Sequence, residues 1–444
     1  MIMKNHSIRV LFLAFLFLLY GCSNSSPLGS WDYTVNTTGG DLFGTMVIEK
    51  DGFQYRGYLL PDLSDTLKLT NVNLKENRLS SDFNFRAALY NLTGTFIGDA
   101  FIGEVSIGSD QFAMNGARAN AKPKISNTHI ELVDYRTESK PVSLIFDSDF
   151  GPDYDDVGAL AILHAMADRQ EVDILATIAS TTYPNVAPVL DAFNTYFQRP
   201  DIPIGIPSKN GVNKGDPQHW SDAVIAKYPH SIKSNDQAES ATDLYRKILA
   251  SSPDKSVTIV TVGFLTNMVN LLQSEPDEHS SLNGFQLIEQ KVKELVSMAG
   301  RFPKGREFNV FIDAPSSIYT FENWPTDVVF SGFEIGLPIR TGLPLINNKL
   351  ISNSPVKDAY SISIPMDPND KAGRMSWDQT AVLFAVRGPR PFFHLNEGKI
   401  IIKEDGSNTW DASGKGHYHL VFDVPFIQVQ KEINELMMHL PVNP

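Results

Sequence analysis

The chain has 444 residues, 42% hydrophobic and 20% charged. At about 100–200 residues per domain this is two or three domains, and the composition can bury a core, so global disorder is excluded. Asp and Glu outnumber Lys and Arg by 51 to 38, and the resulting formal charge of −13 is a poor match to a polyphosphate backbone, which argues against nucleic-acid binding.

Lys4 and Arg9 flank the start of an unbroken apolar run, Val10 to Tyr20. The run is too short to span a bilayer comfortably as a helix and suits the apolar region of a signal peptide. It ends in Leu19-Tyr20-Gly21-Cys22, which resembles a bacterial lipobox: a small residue before a cysteine that is lipidated and becomes the new N-terminus. Cys22 is the only cysteine, so no internal disulfide and no CxxC metal site can form. The expectation is a signal peptide over 1–21, a tether over 22–27 and an acyl anchor on Cys22. Ser23-Asn24 carries no acidic retention residue, which places the chain in the bacterial cell envelope, at the outer membrane.

Residues 28–120 predict a small all-β barrel or meander. Trp31–Val35, Gly44–Ile48 and Phe53–Leu59 read as strands, and Gly39-Gly40 and Asp51-Gly52 as turns. Gly44, Gly57, Gly94 and Gly103 sit where a barrel wall would curve. The region has no histidine and no catalytic spacing of acids, so it reads as an accessory module, with a ligand-binding barrel as the functional option. Residues 121–140 are a polar linker.

From Pro141 the rhythm changes. Val142–Phe146, Val172–Ala179, Val257–Val262, Leu295–Met298 and Val328–Phe330 read as strands. Asp155–Asp168 and Leu265–Leu272 read as helices between them, and Val424–Leu440 as a closing helix. The alternation predicts an α/β domain over 141–444 with a doubly wound, mostly parallel sheet, whose ligands bind beyond the carboxyl ends of the strands. Asn408-Thr409-Trp410 reads as a loop, His417 and His419 as strand residues, and His164 as structural.

Directly after the first of those strands comes Asp147-Ser148-Asp149-Phe150-Gly151-Pro152-Asp153-Tyr154-Asp155-Asp156. Five carboxylates in ten residues repel one another unless a cation lies among them. With no histidine or cysteine nearby, a hard cation with oxygen ligands fits, calcium rather than zinc. The spacing is not that of an EF-hand, and Gly151 would permit a sharp reversal.

A D-x-D-x-G run with a later D-D resembles the nucleoside hydrolases of the inosine–uridine-preferring type. Four later segments extend the resemblance in order: Asn185 after the second strand, Gly263-Phe264-Leu265-Thr266-Asn267, Glu307-Phe308-Asn309 with Asp313-Ala314, and Trp377-Asp378-Gln379-Thr380-Ala381. It covers about Pro141 to Pro444 and not the β module. What it implies is a Ca²⁺ site made by Asp149, Asp156, Thr266 and Asp378, with a backbone carbonyl near Leu265 as a further donor. Asp149 matches the general base that deprotonates a metal-held water. Asp155, Asn185, Glu307 and Asn309 match ribose-binding positions, and Asp147 a brace behind them. Trp377 stands where the purine-specific branch stacks a tryptophan on the base, which implies a purine preference.

The implied function is Ca²⁺-dependent hydrolysis of the N-glycosidic bond of ribonucleosides. The alternative is a ribosyl-ligand-binding lipoprotein that keeps the fold and metal without that turnover. The partners implied are a small-molecule ribonucleoside and the membrane through a lipid anchor; a homo-oligomer is left open, and nucleic acid is not expected. Two departures bear on the site. Relative to the compact family pattern, two residues are inserted between Gly151 and Asp155-Asp156, which either bulge outward or change which acid meets the metal. The segment Gly300–Gly305 lacks an asparagine common in the family, which would let Arg301, Lys304 or Arg306 approach the sugar.

Overall fold

The computed structural model describes residues 26–37, 40–52, 54–61, 67–85, 88–108, 110–118, 140–207 and 210–441. The leader, Cys22 and all of the linker but Lys140 lie outside the described residues. These residues form two compact units, one on either side of the linker.

Among the described residues of the first unit, nine antiparallel strands follow one another: β1 (Gly29–Thr37), β2 (Gly40–Asp51), β3 (Gln54–Pro61), β4 (Leu67–Lys68), β5 (Thr70–Lys75), β6 (Arg78–Phe85), β7 (Ala88–Ile97), β8 (Ala100–Ile107) and β9 (Asp110–Arg118). Their order in the sheet is β4-β3-β2-β1-β9-β8-β7-β6-β5. Alternate residues such as Trp31, Tyr33, Val35, Met46 and Ile48 point inward and make one core with Leu92, Phe96 and Phe101. The sheet curls until β3 lies against β5, but no hydrogen-bonded ladder joins them. Gly94 faces Gly103 across β7 and β8, and a Cβ on Gly94 would lie 2.2 Å from the Phe101 ring. The glycine pair makes room for that ring in the core.

The second unit is built on an eleven-stranded sheet. Its strands are β10 (Val142–Ser148), β11 (Val172–Ala179), β12 (Ile204–Ile206), β13 (Glu239–Ser240), β14 (Val257–Thr261), β15 (Val292–Met298), β16 (Lys304–Arg306), β17 (Asp327–Ser331), β20 (Phe393–Ile402), β21 (Ser407–Asp411) and β22 (His417–Phe422); β18 (Arg340–Thr341) and β19 (Arg374–Met375) pair separately. The order β13-β12-β11-β10-β14-β15-β17-β22 is parallel throughout, and β20, β21 and β16 continue it antiparallel. Valine, isoleucine and leucine fill the central strands because helices cover both faces.

The chain winds outward from β10 to β13, then returns to lay β14 on the free edge of β10. This reversal leaves a crevice beyond the carboxyl ends of β10 and β14, the place where open α/β sheets bind ligands. Two helices begin at that crevice, 155–168 and 377–387. They pack closely at Gly158, where a Cβ would lie 2.3 Å from the Gln379 amide.

The 407–411 segment is a strand, not the loop expected. Its residues Ser-Asn-Thr-Trp-Asp lack apolar alternation because they pair in a hairpin with β20 and β16, while Trp410 packs edge-on against Phe302 and His419. His164 is buried, bonded to Asn194 and stacked on Phe197, in line with a structural role.

Candidate active site

A cavity of about 210 Å³ opens at the crevice. The loop after β10 supplies Asp149 and Asp153, and the helix that follows begins at Asp155-Asp156. Val262, just past β14, and Met298, at the end of β15, form its floor. Glu307, Phe308 and Asn309 enter from one side, and Phe333, Arg374, Trp377 and Asp378 from the other. Close backbone approach is needed here: a Cβ on Gly263 would lie 2.4 Å from the Asp149 nitrogen.

Carboxylate oxygens of Asp155, Asp156 and Asp378 come within 4.8 Å of one another, and all three residues are buried. Ser148 Oγ donates to one oxygen of Asp156, at 2.5 Å, and the other oxygen is buried with no partner. Burial raises the Asp156 carboxyl to about 7. Burial first, and then the charges of the neighbouring aspartates, hold Asp149 and Asp378 well above the usual carboxylate range. Asp155 is met by Arg374, whereas Asp149, Asp156 and Asp378 have no ion pair among the described residues, and an all-oxygen set of that kind fits a hard divalent cation. Behind it, Tyr245 and Asn267 both donate to Asp147. Burial lifts that carboxyl to about 7 despite these bonds.

On the facing wall, the Glu307 carboxylate accepts backbone N–H bonds from Gly300, Asn309 and Val310 and starts the short helix 308–312. The Asn309 amide donates to the carbonyls of Val262 and Met298. Trp377 stacks on Phe333 at 5.2 Å, and its indole N–H donates to the Phe333 carbonyl at 2.8 Å.

The inserted pair Asp153-Tyr154 does not bulge outward. Tyr154 is buried, donates to Asp370 and meets Tyr360 edge-on. Arg374 lies over the Tyr154 and Trp377 rings at 5.0 and 5.2 Å. Its guanidinium bonds Asp153, Asp155 at 3.3 Å and Asp370 at 3.4 Å. The other oxygen of Asp155 accepts from the backbone N–H groups of Trp377 and Asp378. Asp155 therefore ties the start of one helix to the start of the other, placing Asp156 beside Asp378.

Asp149, Asp155, Asp156, Glu307, Asn309, Trp377 and Asp378 all line this cavity. Thr266 and Asn185 do not. The Thr266 hydroxyl donates to Asp313 at 2.8 Å, and Val262, four residues earlier, is the member of that turn that reaches the cavity. Asn185 stands just before the helix 186–196 without a capping side-chain bond, and its amide donates to Asp222 at 2.6 Å. The basic residues of the 300–306 segment are also absent from the cavity. β16 pairs with β21, the Arg301 guanidinium lies over Phe333, and Arg306 lies over Phe311. The cation at the site is Arg374, which sequence reasoning passed over. Gly151 has no positive φ, so the turn does not draw on a glycine's left-handed freedom.

The family model of the inosine-uridine preferring nucleoside hydrolases matches residues 144–406. The chain belongs to that family. An inosine-uridine preferring nucleoside hydrolase from Leishmania major is 25% identical over 200 residues, covering 43% of this chain and 60% of its own. A pyrimidine-specific ribonucleoside hydrolase, RihA, from Citrobacter koseri is 29% identical over 215 residues, with the same coverage. The chain thus spans about 60% of the length of these curated relatives. Among solved structures, a plant nucleoside hydrolase superposes with a TM-score of 0.52 at 19% identity, covering 67% of this chain and 99% of that one. A purine-preferring ribonucleoside hydrolase from Gardnerella vaginalis superposes equally well at 18% identity, with the same coverage. At these identities the likeness is one of fold. It extends the nucleoside hydrolase architecture over the second unit and leaves the β module as an addition.

Proposed function

We propose that this protein hydrolyses the N-glycosidic bond of ribonucleosides, with Ca²⁺ as cofactor and a preference for purines. The convergence of Asp149, Asp156 and Asp378 on one cavity, opposite Glu307 and Asn309 and beside Trp377, carries this reading. Asp149, Asp156, Asp378 and the Val262 backbone would hold the ion, which when bound supplies Lewis acidity to a water and to a sugar diol. Asp149 takes the proton as the water oxygen attacks the anomeric carbon. The C–N bond breaks, its electron pair leaves with the base, and the base takes a proton from solvent, matching the one that Asp149 then gives up. The carboxylates favour the positive charge that builds on the sugar. Glu307 and Asn309 face the sugar hydroxyls. Trp377 and Phe333 present rings to the base, and because the indole N–H is committed to a carbonyl, this wall acts by stacking.

The decisive experiment measures base release from purine and pyrimidine ribonucleosides by chromatography, with Ca²⁺ and with chelator. Chelator-sensitive release, faster for purines, is expected. A Ca²⁺-loaded protein that releases no base from any member would overturn the reading. It would favour ribosyl-ligand binding without turnover, for which the engagement of Asp155 by Arg374 is the structural argument. Asp149→Asn should lower turnover about 10²–10⁴-fold with little loss of nucleoside binding; unchanged turnover would remove Asp149 as the base. Trp377→Ala should slow purine substrates selectively, and an equal loss on uridine would make the ring a packing element. We further propose that Cys22 carries the protein on the outer membrane. Cys22→Ser should then move it from the membrane to the soluble fraction on cell fractionation.

A further inference from the structure

The first unit carries a second cleft, of about 880 Å³, at the seam where β3 meets β5 without a ladder. The Leu69 N–H still bonds the Gly57 carbonyl, but beyond that point Thr70–Lys75 diverges from Gln54–Arg56. The opening exposes part of the barrel interior, with Val72 and Leu74 half-buried at its floor. Tyr55 and Tyr58 line it as half-buried rings, and the Lys50 ammonium stands 5.9 Å from the Tyr55 ring.

Charge is distributed unevenly around this cleft. Residues 29–118 hold eleven Asp and Glu against seven Lys and Arg. Among the described residues, three of those cations, Arg56, Lys68 and Lys75, line the cleft and no acid does. Arg56 stands opposite Glu49 in the β2–β3 register. Lys68 and Lys75 are exposed and make no ion pair among the described residues. Side chains alternate along β3, so Tyr58 shares its face with Arg56 and, across the β3–β4 register, with Lys68, which gives an otherwise acidic module one cationic patch beside an aromatic ring.

We propose that this cleft binds a carboxylated oligosaccharide. Sugar rings have apolar faces that lie against tyrosine, and hydroxyls that bond amides such as Gln54 and Asn73. Carboxylates along the chain pair with the two lysines. The cleft is concave and within the ~300–1,000 Å³ of pockets that enclose discrete ligands, which favours a short stretch of polymer over a flat membrane surface. The proposal is independent of the hydrolase reading, since no residue of the second unit takes part.

The test is calorimetric titration of the full-length chain in detergent, in chelator so that calcium cannot bridge two acids. The probes are a polygalacturonate hexamer, a neutral cellulose hexamer and phosphatidylglycerol vesicles. The expected result is binding of the polygalacturonate hexamer that weakens with salt, at least tenfold tighter than the neutral hexamer, and weakened at least tenfold in Lys68→Glu/Lys75→Glu. Both lysines are exposed, so that variant should keep its unfolding temperature and its nucleoside turnover. No preference for the charged hexamer, or equal binding by parent and variant, would overturn the proposal. Charge-dependent binding to vesicles alone would also overturn it and make the cleft a membrane contact.

Discussion

Asp156→Ala is expected to abolish Ca²⁺ binding and nucleoside turnover together. Asp156 is buried, is held on one side by Ser148, has one oxygen without a partner, and lies with a carboxylate oxygen within 4.8 Å of Asp155 and Asp378. Removing it deletes the central carboxylate of the set and leaves the others too few to offset the dehydration of the ion. Turnover should drop below detection, beyond the loss in Asp149→Asn, because both the ion and the activated water go with it. Thermal unfolding gives a readout free of catalysis. Without cation, Asp156 titrates near 7 in the fold, against an unperturbed 3.8. Between those values the folded state holds a proton that the unfolded state has released, so this group's contribution to stability falls as pH rises toward and through 7. A bound cation replaces that proton. Ca²⁺ should therefore raise the unfolding temperature of the parent strongly at pH 7.5 and little at pH 5.0, where protons compete for the same oxygens. In Asp156→Ala the shift should vanish at both. A variant that still gains stability from Ca²⁺ at pH 7.5 would place the ion elsewhere.

Much of this site was legible in the sequence, for reasons visible in particular residues. Asp149, Asp155 and Asp156 follow a buried strand directly, and a doubly wound sheet sends that position to the crevice. Glu307 and Asn309, and Trp377 and Asp378, sit at helix starts, where side chains two positions or fewer apart converge on one cavity. Thr266 is drawn away by Asp313, which takes its hydroxyl, and the turn reaches the cavity at Val262 instead, a position that nothing in residue type marks. Asn185 was misdirected because an amide at a helix start serves a neighbour such as Asp222 as readily as a ligand. Trp410 was misplaced because a polar hairpin strand carries no alternation to read. Arg374 was invisible for a different reason. It is a lone arginine in a two-residue strand, 221 positions from the Asp153 it holds, and only the folded chain brings the two together.

Arg374→Met should be strongly destabilising to the second unit. The guanidinium is almost fully buried and offsets Asp153, Asp155 and Asp370 at once. Removing one side of a buried ion pair costs about 3–5 kcal/mol, since the partner charge stays buried without compensation. For a unit of this size that lowers the unfolding temperature by about 10 °C. Asp153→Asn should cost far less, because that side chain is 38% exposed and water screens its charge. Arg374→Lys should fall between the two: the charge remains, but one ammonium cannot fork between three carboxylates as the planar guanidinium does. The double variant Arg374→Met/Asp370→Asn should recover part of the loss, as Asp370 no longer carries an uncompensated charge. Ca²⁺ should also raise the unfolding temperature of Arg374→Met by more than it raises the parent's, because the ion then meets a richer excess of carboxylate. Calorimetry of the parent and the four variants, with and without Ca²⁺, checks all of this. An unfolding temperature within about 1 °C of the parent for Arg374→Met would show that water reaches these carboxylates and that the inserted Asp153-Tyr154 pair is held by the Tyr154 ring alone.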